Sequence, residues 1–209
     1  MLRESAALTM QTNRPVPIES RALGTLSYIR ASIDSASSLA VPGLAGIVMG
    51  AIGAAAALLT YVPAIGSYWL TVWLVAACVA FLLGGALVAR QVSQRGGSLI
   101  TGPFKKFLMC LCPTLLAGAV LTLVLSLADM QRLIPGTWLL LYGCAVVAAS
   151  TATNSRSQLI VASMGALFIL LGGTAFALPA SAHTLLLGAG FGGLHLISGI
   201  LIGRVNHGE

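Results

Sequence analysis

Charge is what this chain has least of. Of 209 residues, 11 are Lys or Arg and 5 are Asp or Glu, so 8% are charged, against roughly 25% in a soluble domain. A soluble fold of this length needs a wide polar surface and has no core in which to hide such a deficit. Lipid is the solvent that removes the need. None of the six longest apolar stretches contains Asp, Glu, Lys or Arg, so the carboxylate relay that carries protons through many pumps has no residues here. The strings GxxxxGK[ST], HExxH and GxSxG do not occur, which removes the phosphate loop, the zinc-protease helix and the nucleophile elbow. Residues 1–10 have no apolar core of a length that would make a secretory signal. Cysteine is sparse too: Cys78, Cys110, Cys112 and Cys144 all fall in apolar stretches. Cys110 and Cys112 are two apart, point to different sides of a helix and make no metal clamp. All four read as small apolar packing residues.

What is abundant is hydrocarbon, at 57% hydrophobic residues. The apolar stretches run at about 39–62, 67–89, 107–128, 136–153, 158–178 and 182–203. Each is close to the ~20 residues that cross a ~30 Å hydrocarbon core. Each is predicted helical, because lipid offers no partner to an exposed backbone amide. Before them, Ile18, Ala22, Leu26, Ile29, Ile33 and Ala36 recur at spacings of three and four, with Glu19, Arg21, Arg30 and Asp34 on the other face. That is the pattern of an amphipathic helix lying at a membrane surface. A short coiled-coil seam is the other reading of it. The predicted fold is an all-α integral membrane protein, with six transmembrane helices preceded by a cytoplasmic amphipathic helix at about 18–37. The chain divides into a tail, 1–38, and a membrane domain, 39–209.

The basic residues orient it. With six spans, Arg3, Arg14, Arg21, Arg30, Arg90, Arg95, Lys105, Lys106, Arg156 and Arg204 fall on one side and Arg132 on the other. The positive-inside rule then places both termini in the cytoplasm. Tyr61, Tyr68, Trp69 and Trp138 fall at the predicted outer boundary, where an aromatic belt belongs. The net charge of +6 is thus a topological signal and calls for no nucleic acid. Arg90, Arg95, Lys105 and Lys106 sit where they meet anionic headgroups. The tail and the loop at 90–106 are the two places for a cytoplasmic protein partner.

Glycine carries the packing signal. Gly46 with Gly50, Gly188 with Gly192, and Gly199 with Gly203 are small-xxx-small pairs that bring helices close. They serve packing within one bundle or, on the last span, a homodimer face. The last span also holds His195, at membrane depth, with Ser198 one turn on. An ionisable group at that depth is costly and a functional suspect. It is either a structural histidine, bonded to a carbonyl or to the Ser150, Thr151 and Thr153 group, or a site for a proton, metal or ligand. Ser198 and His195 share a helix face but lack the oxyanion hole and orienting group of a hydrolase. His183 lies ~18 Å along the helix from His195, too far to share a haem. No catalytic, cofactor-binding or metal-binding residue is assigned, and no cofactor is expected.

There is a faint internal echo. Val41-Pro42-Gly43 is matched by Ile134-Pro135-Gly136, and Leu83-Gly84-Gly85 by Leu171-Gly172-Gly173. A duplication of three spans would invert the second copy, as in many transporters.

Tyr28 to the C-terminus, through AVPGLAGIVMG (Ala40 to Gly50), PGTWLLLYG (Pro135 to Gly143) and GFGGLHLISGILIGR (Gly190 to Arg204), resembles a set of uncharacterised small six-span bacterial membrane proteins. The resemblance implies a gene neighbourhood with a winged-helix regulator and no activity. GALFILLGGTAFALP (Gly165 to Pro179) is similar to segments of HdeD-type acid-resistance membrane proteins. Two functions stay open. One is a non-enzymatic structural, stress-related or partner-binding module of the bacterial inner membrane. The other is a small transporter or channel with His195 near the path.

Overall fold

The structure is a computed structural model, which describes residues 25–26, 38–96, 98–100 and 102–207. The chain forms two compact units, Met1–Ala36 and Ser37–Glu209. In the first, Thr25 and Leu26 are helical, and the rest of the amphipathic stretch at 18–37 lies outside the described residues. The second unit is a helical bundle, and no strand occurs among its described residues.

The helices are α1 (Gly43–Leu59), α2 (Trp69–Gln94), α3 (Gly102–Leu127), α4 (Ile134–Ser150) and α5 (Ser155–Ala177). The last is in three pieces: α6 (His183–Leu187), a π-helical run Gly188–Leu194, and α7 (His195–His207). Five stretches are long and apolar enough to cross a membrane: Trp69–Gln94, Gly102–Leu127, Gln131–Ser150, Ser155–Ala177 and Ala180–Asn206.

The first apolar stretch departs from expectation. Its helix covers 17 residues, about 25 Å at 1.5 Å per residue. Pro42 is extended (ψ 128°) and delays the start. Proline disfavours the helical region for the residue before it, and Val62, before Pro63, is extended as well. The basic stretch at 90–106 also differs. α2 runs on through Arg90 to Gln94 and α3 begins at Gly102, so most of that stretch is helix. Gly96 (φ 69°) and Gly102 (φ 74°) make the turns, a region that L side chains rarely adopt. Pro113 lies well inside α3, which continues past it to Leu127.

Local chemistry fixes the other ends. α3 stops at Asp129, whose φ is 54°. The Met130 amide donates to the Leu125 carbonyl at 2.8 Å and the Asp129 amide to Ser126 at 3.4 Å, the bonding pattern of a Schellman cap. α5 opens on Asn154, whose side-chain oxygen accepts from the Ser157 amide at 3.0 Å, an N-cap. Leu39 pairs with the α4–α5 turn: its amide donates to Ala152 (2.7 Å) and its carbonyl accepts from Asn154 (3.0 Å).

Glycines decide which helices touch. A Cβ on Gly143 would lie 2.7 Å from the Gly165 carbonyl, and one on Gly165 would lie 2.8 Å from that of Gly143. α4 and α5 therefore meet backbone to backbone. α1 meets the last helix in the same way. A Cβ on Gly46 would lie 2.8 Å from Gly199 Cα, on Gly50 2.8 Å from the Gly192 carbonyl, and on Gly43 2.6 Å from the Gly203 amide. Gly188 faces Ala57. The glycine stripe of the last span is covered by α1 of the same chain. Elsewhere α2 lies on α1 and α3 on α4, while the consecutive α2 and α3 keep their backbones apart and meet through Val88, Val92 and Phe104. Leu82, Leu116, Leu123 and Leu170 point outward and are exposed, the inside-out pattern that lipid permits.

Candidate functional site

The bundle has two chemically distinct ends. At one, Gln91 donates to the Ala40 carbonyl (2.7 Å) and Asn206 to that of Val41 (3.2 Å), beside the Leu39 pairing. Arg90, Arg95, Lys105, Lys106, Arg156 and Arg204 lie within a few residues of these contacts or of Phe104, which clusters with Leu39 and Val88. At the other end, Trp69 and Trp138 stack with centroids 6.1 Å apart and planes 9° off parallel. The Trp69 indole donates to Thr184 at 3.0 Å, and Trp138 donates to Thr122 at 2.7 Å. Tyr61 and Tyr68 are exposed. Arg132 belongs to this end.

Between the ends lies one enclosed polar pair. His195 is 3% exposed, and its Nε2 is hydrogen-bonded to the Tyr142 hydroxyl at 2.7 Å. Aromatic rings box the pair. Phe168 meets Tyr142 edge-on (centroids 4.9 Å) and His195 edge-on (5.4 Å), while Phe191 lies stacked 6.2 Å from His195 at 18°. Phe168 is fully buried. Edge-to-face and offset contacts of this kind add about 0.5–1.5 kcal/mol each beyond area burial.

The π-helical run places the imidazole. His195 is the first residue after it, and a π turn rotates the next turn of helix relative to the one before it. Phe191, inside the run, shares the box with His195, four residues on and so on the same helix face. The Gly190 and Phe191 carbonyls act on the imidazole, yet Nδ1 is buried with no partner at hydrogen-bond geometry.

His195, Tyr142 and Ser198 all border a cavity of about 140 Å³ enclosed by α1 to α5 and α7. Its other walls are apolar or glycine, among them Met49, Phe81, Val88, Phe104, Met164 and Ile202. Ser198 is buried.

Other residues singled out in the sequence are placed differently. His183 donates from Nε2 to the Ala175 carbonyl (3.1 Å) and is bound up with α5. Ser150, Thr151 and Thr153 donate to the Val147, Ala148 and Ser150 carbonyls of their own helix end, so they are not the partners of His195. Cys78, Cys112 and Cys144 are exposed on the outside of the bundle and Cys110 is half-buried. For Cys78, Cys112 and Cys144 this corrects their reading as packing residues: their helix faces point outward, where a small apolar side chain meets no helix of the chain. Among the described residues, no group of three or more His, Cys, Asp or Glu comes together. Tyr142, Phe168 and Phe191 are the site residues that sequence reasoning missed. Tyr142 alone carried a signal, as a hydroxyl in the middle of the apolar run Leu139 to Val147.

No protein-family model, curated protein or solved structure matches the chain.

Proposed function

We propose that this chain is a non-enzymatic, multi-pass protein of the bacterial plasma membrane that serves as a partner-binding or structural module. Both termini are cytoplasmic, and the tail and the 90–106 segment face that side. The observation that carries the reading is what the buried polar groups do. Tyr142 with His195 ties α4 to α7, His183 with Ala175 ties α6 to α5, Trp69 with Thr184 ties α2 to α6, and Trp138 with Thr122 ties α4 to α3. Each bond joins helices. The gathering of basic residues at one end and tryptophans at the other supports the orientation.

The cavity beside His195 favours a second reading, a small transporter or channel whose path passes that residue. The two separate by flux. Purified protein in proteoliposomes is loaded with a panel of ions and small solutes, alongside His195→Ala. The module reading predicts no flux above empty vesicles for either protein. Flux by wild type that His195→Ala abolishes would replace it with the transporter.

A further inference from the structure

The Tyr142–His195 bond leaves hydrogen-bonding capacity unused beside the cavity. A neutral imidazole has one N–H and one lone pair. If Tyr142 donates to Nε2, then Nδ1 carries the hydrogen, with the Gly190 and Phe191 carbonyls of its own helix short of hydrogen-bond geometry, and the tyrosine oxygen keeps lone pairs. If Nε2 donates to the tyrosine oxygen, Nδ1 is a lone pair with no donor and the tyrosine hydrogen is free. In either tautomer the pair keeps one donor and one acceptor. Nδ1 is buried and unpartnered, and a buried polar atom left so carries an uncompensated desolvation cost that a bound partner would relieve.

The cavity sets the rest of the chemistry. No Asp, Glu, Lys or Arg is among its lining residues, so nothing there balances a charged head, and an unpaired charge is strongly disfavoured at this depth. Its volume of about 140 Å³ is near that of an apolar cavity able to hold one benzene ring. Phe81 and Gly85 of α2 and Phe107 and Leu111 of α3 border it, on the lipid side of the point where Val88 and Val92 of α2 meet Phe104 of α3 and where the two helix backbones stay apart. A longer molecule has its exit there, sideways into lipid.

We infer that this cavity is a binding site for a neutral, lipid-soluble molecule with a hydroxyl head, an alcohol or phenol. The hydroxyl meets Tyr142, His195 and Ser198, and the hydrocarbon lies between α2 and α3. A hydroxyl is the small neutral group that is donor and acceptor at once. The inference deepens the partner-binding reading and rests on the membrane placement within it.

The test is photolabelling of the full-length protein in nanodiscs with two diazirine probes, a small phenol and a long-chain alcohol. Each is run against a matched analogue without the hydroxyl. Labelling by either probe at cavity residues such as the half-buried Met164 and the buried Val88 supports the site. The phenol labelling better points to small free phenols, and the alcohol labelling better points to a resident lipid. The hydroxyl should improve half-saturation about three- to ten-fold, the worth of one hydrogen bond of about 0.5–1.5 kcal/mol. Tyr142→Phe should remove most of that advantage. Gly85→Leu fills the entrance at a position where a Cβ meets nothing within 4 Å, and it should abolish cavity labelling in a folded protein. Labelling confined to the lipid-facing surface, equal labelling by the hydroxyl-free analogues, or cavity labelling unchanged by Gly85→Leu would each overturn the site. Carbonate extraction of native membranes keeps the two readings apart. Release of the protein defeats the membrane placement, whereas retention with no cavity labelling defeats the site alone.

Discussion

The Tyr142 hydroxyl and His195 Nε2, 53 residues apart in the chain, lie 2.7 Å apart in the middle of the bundle. They join α4 to α7 inside a box closed by Phe168 and Phe191. Two truncations separate the bond from the box. Tyr142→Phe keeps the ring and loses the hydrogen bond, at an expected ~0.6 kcal/mol and no more than about 1.7. His195→Ala removes a buried ring as well, and large-to-small changes of that kind cost about 2–5 kcal/mol. Reversible unfolding in mixed micelles should rank wild type, Tyr142→Phe and His195→Ala in that order, with the larger gap at the second step.

Phe168 anchors the box. It is fully buried and touches both members of the pair. Phe168→Ala should cost about 3–5 kcal/mol in the same assay. Phe81→Ala, on an exposed position, should cost well under 1 kcal/mol, since surface substitutions stay within about ±0.5.

The glycine contacts give a matched pair. Gly143→Ala drives a Cβ to 2.7 Å from a backbone oxygen of α5, while Gly173→Ala meets nothing within 4 Å. The first should destabilise by about 1–3 kcal/mol through overpacking. The second should be neutral, or stabilising by up to about 1 kcal/mol from helix propensity. Thermal melts in detergent read the difference directly.

The apolar helices were legible in the sequence because charge avoidance over about 20 residues has one physical cause. His195 and Ser198 stood out for the same reason, as polar atoms in an otherwise apolar run. Their surroundings were not legible. The destination of the Tyr142 hydroxyl depends on how α4 and α7 rotate about their axes, and a span that is apolar all round gives no periodicity from which to read that rotation. The π-helical run was hidden as well, since Gly188 to Leu194 is equally compatible with α geometry until the neighbours are known. Gly143 and Gly165 lie in no GxxxG pair; their glycine companions Gly136 and Gly172 are seven residues away and join the same contact, so a search for GxxxG missed the close approach of α4 and α5. The short reach of α1 was written in Pro42 and Pro63, which a hydropathy window averages away.

The tryptophan pair makes a prediction at the far end. Trp69→Phe loses the indole hydrogen bond to Thr184 and part of the stack on Trp138. It should lower stability by about 1–2 kcal/mol, the sum of a weak membrane hydrogen bond and an aromatic pair. Trp138 fluorescence in that variant should shift if the stack is lost. Thr184→Val should reproduce the hydrogen-bond part and leave the stack spectrum unchanged.

Placement of the bundle across a membrane, with its basic end inward, is the claim on which the proposed function and the cavity site both rest. Gln94 and Met130 are exposed, at opposite ends. Gln94→Cys and Met130→Cys, in a background with the four native cysteines replaced, are treated with a membrane-impermeant maleimide in intact spheroplasts and again after lysis. Met130→Cys should label in intact spheroplasts, and Gln94→Cys only after lysis. Both labelling equally in intact spheroplasts, or the reverse pattern, would contradict that placement.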